Sequence, residues 1–201
     1  DLKHLKYFER EVSVSEKERE ILTNLGGRVL ARDLWGKIAG MKNEKEMLER
    51  RLVLPLADSR LAETFGVEPP KAIVLFGPPG TGKTTFAKAV ASRLDWPFIE
   101  VFPSRLSGDR NGLAGGLREV FNTVNELENV VVFIDEVEEI ASKRKGDPPS
   151  PTQGVTNELL KLIPTFREKP GHLLVVATNY IRALDDAFLR HGRFDYVIPI
   201  G

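Results

Sequence analysis

"KAIVLFGPPGTGKTTF", residues 71–86, decides how this chain folds. An apolar run stops at Gly77. Every residue from Gly77 to Gly82 except Thr81 is then Gly or Pro, and Lys83 and two threonines open a helical pattern. The pattern G-x-x-x-x-G-K-[ST] between a strand and a helix is that of a phosphate-binding loop. Glycines let successive backbone N–H groups turn inward with no side chain in the way. Those N–H groups form an anion nest, and the helix N-terminus adds positive partial charge. Pro79, Gly80, Thr81, Gly82, Lys83, Thr84 and Thr85 are therefore expected to cradle nucleotide phosphates. Lys83 would reach the β- and γ-phosphates, and the Thr84 hydroxyl would ligate Mg²⁺. The competing reading is a Gly-Pro turn that merely starts a helix. The strand and helix on either side favour the phosphate loop.

The surrounding pattern repeats strand and helix. Residues 71–76, 97–102, 130–134, 173–177 and 196–200 read as strands, and 83–94, 112–128 and 154–163 as crossover helices. Three of the strands are continuously apolar, as parallel strands covered on both faces must be. The alternation predicts an α/β sandwich on a parallel sheet. "NEKEMLERRLVLPL" adds a helix with Asn43 as its cap and Met47, Leu48, Arg51 and Leu52 at helical spacing. "KGDPPSPTQG" (145–154) reads as a loop. Residues 1–33 read as a charged, partly helical linker, largely solvated.

Parallel α/β sheets gather their chemistry at the C-terminal ends of the strands. There "VVVFIDE" delivers Asp135, placed to support Mg²⁺, and Glu136, placed to act as general base on a water. The competing reading is a helix N-terminus that favours acidic residues. Glu138 and Glu139 read as a solvated or subunit-facing edge. "LLVVATNY" ends in Asn179, whose amide can donate to a γ-phosphate or orient the water. "DDAFLRHGRFD" holds Arg190 and Arg193. These are either phosphate-stabilising arginines or partners of Asp185, Asp186 or Asp195.

Bulk composition narrows the classes. The chain has 201 residues, 41% hydrophobic and 29% charged, with 29 Lys plus Arg against 29 Asp plus Glu. Zero net charge gives no bulk electrostatic case for nucleic acid. The chain has no cysteine, which excludes disulfides, thiolate metal sites and cysteine nucleophiles. No apolar run approaches the length of a membrane span. No signal peptide is visible, and a cytoplasmic location is expected. The first residue is Asp1, so the chain reads as a fragment.

Taken together, "GPPGTGKT", "VVFIDEVEEIASKR" and "ATNYIRALDDAFLRHGRFD" resemble the AAA family of ATPases in the narrow sense, over residues 34–201. The last of these motifs is far more specific than the phosphate loop alone. The resemblance implies a P-loop NTPase three-layer sandwich, with a five-stranded parallel sheet of order 5-1-4-3-2. Lys83 and Thr84 would belong to Walker A, Asp135 and Glu136 to Walker B, and Asn179 to sensor 1. Arg190 and Arg193 would act on ATP in the adjacent subunit. "WGKIAG" would lie against adenine through Ile38 and Ala39, although Lys37 and Ala39 stand where the family often has an acidic residue and a glycine. A helical lid would follow Gly201. Family members are usually hexameric rings that use ATP and Mg²⁺ to remodel other macromolecules, here a protein. The first pore loop of the family usually carries an aromatic residue. Here that place reads "RLSGDRNGLAGG", with no aromatic between Phe102 and Phe121, and Leu106 and Leu113 as weaker substitutes. Arg105 and Arg110 read as solvated loop charges. An ATP-controlled assembly subunit that threads no substrate is the alternative.

Overall fold

Strands without a polar face find stability only between two layers of helices. In the computed structural model, which describes residues 14–38, 42–106, 112–138, 151–184, 186, 188–190 and 192–201, β1 (Ala72–Phe76), β3 (Val130–Ile134) and β4 (His172–Thr178) form that buried centre. β2 (Phe98–Val101) and β5 (Tyr196–Pro199) are the edges, and the order β2-β3-β4-β1-β5 is parallel throughout. This is the expected order, read from the other edge.

Successive side chains alternate between the two faces of a strand. Val74, Val132 and Val176 meet α8 (Gly112–Val124) and α9 (Pro151–Glu168) on one face. Ile73, Phe133 and Val175 meet α6 (Lys83–Leu94) on the other, together with Leu48, Leu52 and Leu56. The latter three come from a segment that runs through α3 (Lys42–Leu48), a π-helical turn (Glu49–Val53) and α4 (Leu54–Ala57). Asn43 lies inside α3, whose first residue is Lys42.

Two helices depart from the sequence reading. α8 ends at Val124, and Leu127 is buried beyond its end. α9 begins at Pro151 and runs through Pro164 to Glu168, longer at both ends than expected. A proline inside a helix costs about 3 kcal/mol. Past it, Phe166 is only 1% exposed and packs edge-on to Phe121 at 5.4 Å. Burying a phenylalanine contributes about 1.5–3 kcal/mol, and Arg167 adds the ion pair described below. Residues 145–150 of the expected loop lie outside the described residues.

Part of the charged lead-in is built onto the domain. α1 (Glu16–Asn24) starts in a capping box: the Glu18 N–H donates to Ser15 Oγ at 3.3 Å, and the Ser15 N–H donates to Glu18 Oε2 at 2.9 Å. Ile21 and Leu22 are buried in the α8–α9 layer. Arg28 and Phe98 exchange backbone hydrogen bonds of 3.0 and 2.8 Å, which covers the open edge of β2 at that point.

His172 opens β4 fully buried, with Nε2 2.9 Å from the Leu127 carbonyl and Nδ1 without a partner. The carbonyl can only accept, so Nε2 carries a proton. Burial pushes its pKa below the ordinary 6.5, against a partial rise from the Leu127 carbonyl. The unfolded chain therefore takes up a proton first as pH falls through about 6.5, and stability drops below that pH and is flat above it. Urea midpoints at pH 7.5 and 5.5 are expected to fall further apart for the wild type than for His172→Leu. Equal spacing in the two proteins would contradict this.

Candidate functional site

Strand register assembles the site. Phe76 pairs with Thr178, and Ile134 pairs with Val176. Gly77, Asn179 and Asp135 therefore leave the sheet along one edge. The Gly77 N–H donates to the Thr178 carbonyl at 3.3 Å. A Cβ at Gly77 would lie 2.0 Å from the Ile200 carbonyl oxygen, so the end of β5 excludes any side chain there. Gly82 turns the loop into α6 at φ 92, a left-handed conformation open to glycine. It caps the helix without a side chain, so it leaves the first-turn N–H groups to a ligand.

Lys83 is 7% exposed beneath this loop. Its ammonium donates to the Gly77 carbonyl at 2.8 Å, the Pro78 carbonyl at 3.0 Å and Asn179 Oδ1 at 2.9 Å. These three acceptors are neutral, so they satisfy the donors without cancelling the charge. A largely buried cation of this kind is suited to an anionic ligand. The Thr81 hydroxyl donates to the Pro78 carbonyl at 2.9 Å and steadies the turn.

The Thr84 hydroxyl donates to Asp135 Oδ2 at 3.3 Å. A hydroxyl and a carboxylate oxygen side by side are hard donors of the type Mg²⁺ selects. Among the described residues no group of three or more His, Cys, Asp or Glu could hold a metal. A cation here would thus take its other ligands from phosphate and water, which is how Mg²⁺ is commonly bound. The residues present fit it.

Asp135 Oδ1 accepts the Glu136 N–H at 2.9 Å, and the Val137 N–H donates to the Ala177 carbonyl at 3.0 Å. Between these ties Glu136 is exposed and adopts φ 50. A non-glycine residue in the left-handed region costs on the order of 1–3 kcal/mol, and such strain clusters at functional sites.

Glu138 corrects the expectation of a solvated edge residue. It is half-buried, its Oε1 accepts the Asn179 N–H at 3.1 Å, and its Oε2 is buried without a partner. Glu138 holds Asn179, and Asn179 accepts from Lys83, so the acidic turn and the phosphate loop are joined through one residue. No local signal announced this contact, since Asn179 lies 41 residues along the chain from Glu138. Glu139 lies outside the described residues.

The arginines sit elsewhere. The Asp195 N–H donates to the Ala72 carbonyl at 2.8 Å, which puts the preceding Arg193 at the N-terminal edge of the sheet. From Ala72 to Phe76 the five-residue strand spans about 13 Å, at about 3.3 Å per residue. An arginine side chain cannot cover that span and the loop beyond it. Arg190 is exposed, and Arg193 is half-buried with Nη1 unpartnered. The Arg–Asp pair weighed from sequence forms with a different arginine. Arg167 grips Asp195 through two hydrogen bonds of 2.7 and 2.8 Å. Burial pushes the Asp195 carboxyl up, but Arg167 and the N–H groups of Ala72 and Lys71 outweigh it and hold it below the ordinary carboxylate range.

The segment expected at adenine lies against α6. Trp35, in α2 (Leu34–Lys37), meets Phe86 at 6.1 Å between rings, and Ile38 packs on the same layer, its carbonyl accepting from the Lys45 ammonium. Ala39 lies outside the described residues. In the expected pore segment, Leu106 and Leu113 pack against the core, so they are poor substitutes for an exposed aromatic. Arg105 is exposed, as expected of a solvated charge, and its guanidinium lies 4.3 Å from the Phe102 ring centre. Arg110 lies outside the described residues.

Comparison with known proteins points to one family. The family model described as "ATPase family associated with various cellular activities (AAA)" matches residues 73–201. The chain is 38% identical to a cell division cycle protein 48 homolog of Archaeoglobus fulgidus, over 82% of this chain and 22% of that protein. It is 39% identical to proteasome-activating nucleotidase 1 of Halobacterium salinarum, over 81% of this chain and 41% of that protein. It is 35% identical to the proteasome-activating nucleotidase of Thermococcus kodakarensis, over 94% of this chain and 49% of that protein. The chain thus spans about a fifth to a half of the curated relatives it matches. Among solved structures, the FIGL-1 AAA domain in complex with ADP superposes with a TM-score of 0.74 at 27% identity, covering 94% of this chain and 63% of that one.

Proposed function

The chain belongs to the AAA family of ATPases, and on that premise we propose that it hydrolyses ATP at sites completed between neighbouring copies in a ring. The observation that carries this reading is the division of labour across the sheet. Lys83, Thr84, Asp135, Glu136 and Asn179 occupy one edge, and Arg193 lies a strand's length away at the other. Arg193, and Arg190 whose carbonyl accepts the Arg193 N–H at 3.4 Å, therefore complete a site only on another molecule. Such an interface is heterologous, and repeated rotation closes it into a ring, here six subunits.

Each residue has a distinct task. The loop N–H groups and Lys83 bind the β- and γ-phosphates. Thr84 and Asp135 would hold Mg²⁺, which supplies neutralisation of phosphate charge. Asn179 orients the attacking water, and Glu136 accepts its proton. The new P–O bond forms to that water as the bridging bond to the β-phosphate breaks, and ADP carries away the electron pair. Arg193 of the adjacent copy stabilises the charge on the transferring group.

Mixing tests the trans arrangement. Arg193→Ala subunits keep an intact nucleotide site, and Lys83→Ala subunits keep intact arginines. Each full-length variant alone is expected to be inactive, and the mixture is expected to regain ATP turnover at the mixed interfaces. Failure to regain any activity counts against trans action.

The work performed is protein remodelling, a reading in line with relatives named for proteasome activation. A cytoplasmic site of action belongs to the same reading. Among the described residues, no helix is long and apolar enough to cross a membrane. The missing aromatic between Phe102 and Phe121 favours a second reading, an ATP-controlled assembly subunit. ATP-dependent loss of fluorescence from a tagged, folded protein is the expected result for remodelling. No loss with an active full-length ring would select the assembly role.

A further inference from the structure

We infer that Arg167 is a positioning residue for Arg193, fixing the backbone from which that arginine reaches the neighbouring subunit. The inference rests on the trans reading above and deepens it. Arg167 lies in the last turn of α9, three residues beyond Pro164. Its Nη1 donates to Asp195 Oδ2 at 2.7 Å and to the Arg193 carbonyl at 3.1 Å, and its Nη2 donates to Asp195 Oδ1 at 2.8 Å. Asp195 Oδ2 also accepts the N–H groups of Lys71 at 2.7 Å and Ala72 at 3.0 Å. One guanidinium therefore ties three elements together: the end of α9, the start of β1 and the peptide at Arg193.

The chemistry requires an arginine at this place. A planar fork can bridge both carboxylate oxygens and still share an N–H with the carbonyl, whereas an ammonium on a flexible stem is a single point. Both side chains of the pair are largely covered, at 21% and 27% exposure, so solvent screening is weak. Arg193 is itself half-buried with Nη1 unpartnered, so its placement depends on the backbone behind it. A misplacement of about 1 Å at a transition-state contact costs on the order of 10²-fold in rate. Arg167 sits at the opposite edge of the sheet from the phosphate loop of its own subunit. Its loss should leave nucleotide binding there intact and slow hydrolysis next door.

The test uses the full-length protein with Arg167→Lys, which keeps the charge, and Arg167→Met, which keeps much of the stem. Both are expected to lower kcat, by up to about 10²-fold, with the KM for ATP within about twofold of wild type. A role confined to fold stability would instead lower the unfolding midpoint and leave the kcat of folded protein unchanged. Each variant is then mixed with Lys83→Ala subunits, which present an undisturbed Arg193, with Arg193→Ala plus Lys83→Ala as the control. Recovery in both mixtures supports the assignment. Recovery in the control alone shows that Arg167 serves its own subunit and overturns the inference, while the trans reading stands. No recovery in either removes the trans reading, and the inference with it. Should Arg167→Met fail to fold, Arg167→Lys alone decides, and wild-type kcat in that variant overturns the assignment.

Discussion

Arg193→Ala is expected to lower ATP turnover by about 10³- to 10⁵-fold, the range associated with loss of an arginine that stabilises a transferring phosphoryl group. That corresponds to about 4–7 kcal/mol of barrier. Nucleotide affinity should change little, because Lys83, Thr84 and Asp135 lie at the other edge of the sheet from Arg193. The decisive comparison is single-turnover hydrolysis beside equilibrium binding of a fluorescent nucleotide. A variant that loses both together would place Arg193 in the binding of nucleotide by its own subunit, against the geometry. Arg193→Lys should recover only part of the rate, since a single ammonium replaces a fork that spans two phosphate oxygens.

Glu136→Gln should abolish measurable turnover, a loss of about 10²- to 10⁴-fold for removing a general base. The amide keeps the shape of the carboxylate and, being a non-β-branched polar residue, tolerates the backbone at φ 50 about as well. The turn is held from outside Glu136, by the Asp135 carboxylate and the Val137–Ala177 hydrogen bond. Thermal stability should therefore stay close to wild type, while ATP-bound oligomers accumulate because the nucleotide is no longer consumed. These are read by phosphate release and by size-exclusion chromatography in ATP. Persistent hydrolysis in Glu136→Gln would remove this residue as the base.

Much of this was legible in the chain itself. Continuously apolar runs alternating with helical stretches point to parallel strands covered on both faces, and each connection is long enough for a crossover. The phosphate loop was legible because its constraint is local: Gly77, Gly82 and Lys83 act through their own backbone and reach. Arg167 was hidden for a specific reason. Local propensity ends the helix at Pro164, and Asp195, the partner that Arg167 grips beyond it, lies 28 residues after Arg167. Glu138 was hidden in a similar way, since Asn179, which it holds, is 41 residues away.

The sequence by itself determined the sheet, the phosphate loop and the acidic strand end, because short-range periodicity and backbone chemistry specify them. Only the tertiary structure decided that Arg193 stands at the far end of the sheet from Lys83, Thr84 and Asp135. That follows from strand register: β5 runs parallel to β1, so a residue placed before β5 emerges beside Ala72, a full strand away from Gly77. No spacing in the chain encodes that distance, because it arises from how the two strands hydrogen-bond.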